Sequence, residues 1–252
     1  MSATDTNWAR RGPARWIRAM YRGVVLRGMR STWAPTTVHG AEHLDGLEGP
    51  VVVVANHTSH ADTMVLLTSL PRRIRRRIVV AAAADYFFTG RFTTLFSALF
   101  IGAIPVDRAK VSRSTLEECH RLLGDGWSLL IYPEGGRSAD GQIAPFKPGA
   151  AWIARRAGVP VVPVHLDGVH DVLPKGRSWP RRHTVSVQIG APLSAAEGED
   201  ARALNTRVEA AVRAMAAASA PTTAPNASTA SAGEDASAAG EAAAPAPRRE
   251  SA

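Results

Sequence analysis

His57 and Asp62 stand five residues apart in the stretch 51–62, VVVVANHTSHAD. An imidazole beside a carboxylate is a base with an orienter. The carboxylate accepts a hydrogen bond from one ring nitrogen, fixes the tautomer and raises the basicity of the other, which can take a proton from an attacking hydroxyl. A continuous helix turns about 100° per residue and would hold the two side chains roughly 140° apart. They meet only if His57 lies in a turn and Asp62 in the first turn of the next helix. The flanking residues predict that junction. Four consecutive valines read as a strand buried on both faces. Thr58 or Ser59 suits a helix N-cap, and Ser59 with Asp62 has capping-box spacing. His57 is then expected at the carboxyl end of a buried strand, where open α/β sheets place ligands. Two plainer readings stay open on this spacing alone: Asp62 as a helix cap, and His57 as a partner for backbone groups.

A second constellation is Glu134-Gly135-Gly136-Arg137-Ser138, after an apolar run at residues 127–132. Paired glycines allow a ligand close to the backbone, and their amides can point at an anion. Arg137 adds a phosphate-matching fork, and Lys147 adds charge nearby. A tight turn with a surface arginine is the plainer alternative. Neither a P-loop nor a G-x-S-x-G elbow is present, so an acyl transfer here would use the substrate's own hydroxyl as nucleophile. His57, His60 and Asp62 are also close enough in sequence to be zinc ligands. His57 and His60 share a face only within a helix, and His165, His170 and His183 are scattered, so no metal is expected.

The elements needed to position these residues alternate. Strands are expected near residues 36–38, 51–55, 78–84, 101–106, 127–132, 159–166 and 184–189. Helices are expected near 13–29, 58–70, 91–100, 114–124, 148–158 and 200–215. Ser114 with Glu117 suggests a capping box and Gly124 a helix end. Residues 72–77 read as a dense basic patch, either a solvated loop or a site that attracts anionic lipid or cofactor phosphates. Alternation of this kind implies an α/β layered fold with a largely parallel, mixed sheet flanked by helices. The loops at 56–62, at Asp107 and Arg108, and at 134–138 should gather at one sheet edge.

Length and composition bound the rest. The 252 residues are 45% hydrophobic, enough for one sizeable core. The divisions expected are a basic amphipathic segment at 1–31, one domain at 32–215, and a disordered Ala/Ser/Pro-rich tail at 216–252. The formal charge is +8, and lysine occurs only at Lys110, Lys147 and Lys175, so arginine dominates. That excess suits an anionic membrane surface or phosphorylated ligands. Nucleic acid is disfavoured because aromatic residues do not interleave with the basic ones. Cys119 is the only cysteine, which excludes an internal disulfide and fits a reducing compartment. On the 13–29 helix, Arg11, Arg15, Arg18 and Arg22 oppose Trp16, Ile17, Met20, Val24 and Val25. Such a helix either lies in a membrane interface or packs on its own domain.

Four segments, in order, resemble the glycerolipid acyltransferases, especially the lysophosphatidic acid (1-acylglycerol-3-phosphate) acyltransferase family. Asn56-His57-Thr58-Ser59-His60-Ala61-Asp62 is similar to its N-H-x4-D motif. Ile104-Pro105-Val106-Asp107-Arg108 resembles its arginine-bearing second motif. Tyr132-Pro133-Glu134-Gly135-Gly136-Arg137-Ser138 resembles F-P-E-G-T-R-S, and Val159-Pro160-Val161-Val162-Pro163-Val164 resembles V-P-I-V-P-V. The resemblance implies transfer of an acyl group from acyl-CoA or acyl-carrier protein to a lysophospholipid hydroxyl. It implies His57 as base, Asp62 as its partner, and Arg108, Glu134, Gly135 and Arg137 around the acceptor phosphate. No cofactor is implied beyond the acyl carrier. Gly136 replaces the family's usual threonine, which bears on the acceptor head group. The expected setting is cytoplasmic, peripheral to the inner face of a membrane; the alternative is a catalytically inactive lipid- or membrane-binding module.

Overall fold

The computed structural model describes residues 6–83, 90–106, 113–138, 140–174, 176–177 and 179–219. Seven strands form one sheet: β1 (Thr36–His39), β2 (Val52–Ala55), β3 (Ile78–Ala83), β4 (Ala103–Val106), β5 (Ser128–Ile131), β6 (Val161–Asp167) and β7 (Val185–Ile189). Their spatial order is β1-β7-β6-β2-β5-β3-β4. Every neighbouring pair is parallel except β6 with β7. The sheet is thus mixed and largely parallel, as expected.

The valine run explains why β2 is central. Val51 to Val54 are at most 1% exposed. Successive strand side chains point to opposite faces, so Val51, Val53 and Ala55 enter one core while Val52 and Val54 enter the other. The first core is closed by α1 (Gly12–Trp33) and α2 (Ala61–Ser69), through Leu26, Val65, Leu66 and Leu67. The second is closed by α5 (Arg113–Gly124), α6 (Gly149–Ala157) and α8 (Ala201–Ser219). These contribute Leu122, Leu123, Ile153, Leu204, Val208 and Val212. Cys119 lies in the same layer. Burial, then the neighbouring Glu118 carboxylate, push its thiol up to about 12, so it is unreactive near neutral pH.

Several boundaries differ from the sequence reading. The basic run forms a short helix, α3 (Arg72–Arg76), whose Ile74 reaches the core. α4 (Arg91–Phe96) passes into a π turn at Ser97–Ile101, so β4 starts at Ala103 instead of residue 101. α5 already includes Arg113, which places Ser114 inside the helix and not at its cap. α5 ends at Gly124, as expected, and the left-handed residue that closes the turn is Gly126 (φ 79°). There the amides of Gly126 and Trp127 reach Leu123 O and Leu122 O. A four-residue helix, α7 (Val169–Val172), was not foreseen. α8 continues through Ser219, four residues into the expected tail. The remainder of the tail at 220–252, together with Ala84, Asp107 and Arg108, lies outside the described residues.

The largest departure is the orientation of α1. Arg18 and Arg22 face inward and are each 3% exposed, whereas Trp16 is 70%, Met20 65% and Val24 68% exposed. Arg18 donates from Nε to Leu99 O (2.8 Å) and from Nη2 to Ala98 O (2.8 Å) and Ala9 O (2.5 Å). Arg22 donates to Arg75 O (2.9 Å) and to Ile101 O. Carbonyls at the end of a helical turn lack intrahelical partners and carry partial negative charge. Two guanidinium groups satisfy them here, and this pins α1 to the domain by its basic side. The helix therefore packs on its own domain and still leaves its apolar face uncovered.

Candidate active site

The junction after β2 brings His57 and Asp62 together. His57 Nδ1 lies 2.8 Å from Asp62 Oδ2. The same oxygen accepts the amides of Thr58 (2.7 Å) and Ser59 (2.9 Å). Asp62 is fully buried. A buried carboxylate oxygen that already accepts two amides leaves Nδ1 as donor, so the lone pair of neutral His57 sits on Nε2. Ser59 fills only half of the expected capping box. Its Oγ accepts the Ala61 amide (3.1 Å) instead of the Asp62 amide, and donates to Leu173 O (2.8 Å).

The loop after β5 is laced to this junction. The His57 amide donates to Glu134 Oε1 (2.6 Å), and the Ser138 amide donates to His57 O (2.8 Å). Glu134 Oε2 accepts the Ala144 amide (2.9 Å). Both carboxylate oxygens thus take backbone donors. So engaged, Glu134 is a strut between the two loops. Burial raises its carboxyl above the ordinary range, opposed chiefly by those two amide hydrogen bonds. We expect Glu134→Gln to lower kcat at least tenfold and to lower Tm. Glutamine has one acceptor oxygen where two amides need one each, and an unmet amide costs roughly 1–3 kcal/mol. Steady-state kinetics with thermal melting checks this; an unchanged kcat would contradict it.

Gly135 takes a left-handed conformation (φ 75°), and a Cβ there would come within 2.8 Å of Lys147 Nζ. The absent side chain lets the lysine lie across the turn. Lys147 is further anchored by its amide, which donates to Pro133 O (3.0 Å). Gly136 faces open space, so no steric reason requires glycine there. Arg137 is half-buried and makes no hydrogen bond or ion pair among the described residues. Two cations, Arg137 and Lys147, therefore belong to the loop that holds the His57 backbone. β4 runs parallel with β3, β5 and β2, so its end points to this same edge, though Arg108 itself is not described.

A family model for acyltransferases matches residues 35–167, which span β1 to the end of β6 and include both loops. The chain belongs to the acyltransferase family. Among relatives of this family member, a chloroplastic 1-acyl-sn-glycerol-3-phosphate acyltransferase of Brassica napus is 33% identical, over 63% of this chain and 45% of its own length. The human 1-acyl-sn-glycerol-3-phosphate acyltransferase beta is 29% identical, over 65% of this chain and 59% of its own. The chain spans about half the length of the curated relatives it matches. In fold it is similar to the crystal structure of the 1-acyl-sn-glycerophosphate acyltransferase of Thermotoga maritima, with TM-score 0.59, 24% identity, and 81% and 84% of the two chains covered.

Two residues of this acyltransferase-family site received no role in the sequence reading. Tyr132 stacks beneath the imidazole, with ring centroids 4.1 Å apart and planes 16° apart, and its hydroxyl meets Thr63 Oγ1 at 3.0 Å. Burial, then the Asp62 charge, hold its phenol well above the ordinary value, so it stays neutral. Asn56 splints β2 to β6, donating to Leu166 O (2.9 Å) and accepting the Leu166 amide (2.8 Å). Both residues stand inside the quoted motifs, which was the available signal.

Proposed function

We propose that this protein transfers a fatty acyl group from a thioester, acyl-CoA or acyl-carrier protein, to the free hydroxyl of a lysophospholipid, with 1-acyl-sn-glycerol-3-phosphate the foremost acceptor. The observation that carries the reading is the His57 Nδ1–Asp62 Oδ2 hydrogen bond of 2.8 Å in a loop tied to a cationic turn. Nε2 of His57 takes the proton of the acceptor hydroxyl as its oxygen attacks the thioester carbonyl. The carbon–sulfur bond then breaks, the sulfur leaves as a thiol after taking the proton from the imidazolium, and a new oxygen ester remains. Asp62 orients the ring and balances its transient charge, while Tyr132 limits its tilt. Arg137 and Lys147 face the acceptor phosphate, with Arg108 assigned there by resemblance. No cofactor besides the acyl carrier enters this scheme.

A panel of lysophospholipids and glycerol phosphate, each assayed with one labelled acyl thioester, tests the reading. Labelled phosphatidic acid from 1-acyl-sn-glycerol-3-phosphate is expected, and transfer to none of the acceptors would overturn it. In the same panel, Arg137→Ala should raise KM for phosphorylated acceptors by about tenfold or more, since a charge-assisted hydrogen bond contributes roughly 1.5–3 kcal/mol. An equal rise with phosphate-free acceptors would remove Arg137 from that role.

The proposed working place is the surface of a membrane. No described helix is long and apolar enough to cross one. What supports attachment is the uncovered face of α1, joined by Phe92 (86% exposed) and Leu95 of α4. Tyr21 of α1 packs edge-on to Phe96 of α4 at 6.2 Å, which keeps the two helices side by side. Burying one such side chain is worth roughly 1.5–3 kcal/mol. Met20→Glu combined with Val24→Glu should therefore weaken binding to phosphatidylcholine vesicles by at least about 10²-fold. Because both positions are exposed, Tm should hold. Undiminished sedimentation with vesicles would show that another surface attaches.

A further inference from the structure

A groove of about 890 Å³ opens between α1, the end of α2 and α3. Arg15, Arg22 and Arg27 line it from α1, and Arg72, Arg75 and Arg76 from α3; no Asp or Glu is among its lining residues. Holding the turn before β4 accounts for Arg18 and for Nη2 of Arg22, and Nη1 of Arg22 holds Arg75 O of α3. It does not account for the rest. Arg22 Nε is buried and has no hydrogen-bond partner. Burial, then the charges of Arg18 and Arg75, lower the Arg22 guanidinium to about 9. Arg75 is lowered by burial and then by Arg27, Arg72, Arg30 and Arg76. The cluster thus repels itself in the free protein, and a bound anion would relieve it.

Position narrows the choice of anion. α2 starts at the catalytic edge and its nine residues end at the groove, about 13 Å away at the helical rise. A ligand here does not share the atoms around His57. Trp16 lines the groove and also belongs to the exposed apolar face of α1. Tryptophan favours the head-group level of a bilayer, so a protein resting on that face holds the groove at the depth of lipid phosphates.

We propose that the arginine groove between α1 and α3 binds the phosphate of an anionic membrane phospholipid, at a site separate from the catalytic edge. This rests on the proposed membrane attachment but not on the proposed chemistry. The test is sedimentation of the full chain with phosphatidylcholine vesicles, with and without phosphatidylglycerol, which is neither acceptor nor product of the proposed reaction. Variants are Arg72→Gln/Arg76→Gln in the groove, Arg156→Gln/Arg202→Gln as a charge-matched control elsewhere, and His57→Ala. Phosphatidylglycerol should strengthen binding of the wild type, the control and His57→Ala, while the groove variant loses roughly tenfold or more of that gain. All should bind phosphatidylcholine alone equally. The proposal is overturned if the groove variant keeps the gain or if the control loses as much. It is also overturned if phosphatidylglycerol gives no gain while dissolved inorganic phosphate alone raises the wild-type Tm, which would assign the groove to a soluble phosphate.

Discussion

His57→Ala should lower kcat for acyl transfer by at least about 10²–10⁴-fold, the contribution of a positioned general base. Little else should change. The ring is part-exposed, and its neighbours are held by groups that survive the substitution: Glu134 binds the His57 amide, and Ser138 binds its carbonyl. KM for the acceptor should move little, because the imidazole acts on a proton that is transferred only during reaction. Near-normal kcat would remove His57 from the mechanism. Loss of fold, seen as a much lower Tm, would show that stacking on Tyr132 matters more for structure than for reaction.

Asp62→Asn isolates the charge. One oxygen of Asp62 accepts three donors, whereas Oδ1 is buried without a partner. The Thr58 and Ser59 amides require an acceptor at the occupied place, so they hold the asparagine oxygen there and turn its NH2 toward the empty one. The His57 tautomer is then preserved and only the negative charge disappears. The carboxylate balances the charge the ring takes on as it accepts the hydroxyl proton, so without it kcat should fall on the order of 10–10³-fold with a small change in Tm. Asp62→Ala, by contrast, strands two backbone amides at roughly 1–3 kcal/mol each and should lower Tm clearly. If Asn and Ala behave alike in both respects, the carboxylate is a helix cap and not a catalytic partner.

Much of this site was legible because it is local. The valine run fixes which strand is buried on both faces, and the polar stretch behind it can only be a turn into the next helix. That junction permits a pairing five residues long, and the four motifs in order favour it over a helix cap. What escaped depends on partners far away in sequence. Glu134 sits beside two glycines and an arginine, a setting that suggests an anion-binding loop, and only the fold reveals that His57 and Ala144 amides occupy its oxygens. Tyr132 under His57, and Asn56 against Leu166, are contacts across strands. α1 shows the limit most clearly. Periodicity separates an arginine face from an apolar face, but it cannot say which meets the domain. The carbonyls of Ala98, Leu99 and Ile101, at the end of the turn that follows α4, decide it by accepting Arg18 and Arg22.

The most direct measurement is thiol release from an acyl thioester, followed with and without 1-acyl-sn-glycerol-3-phosphate on the purified full chain. Direct attack by a hydroxyl activated at His57 predicts no thiol burst without the acceptor, and one thiol freed per ester formed with it. A stoichiometric burst in the absence of acceptor, or thiol release that yields no ester, would contradict it.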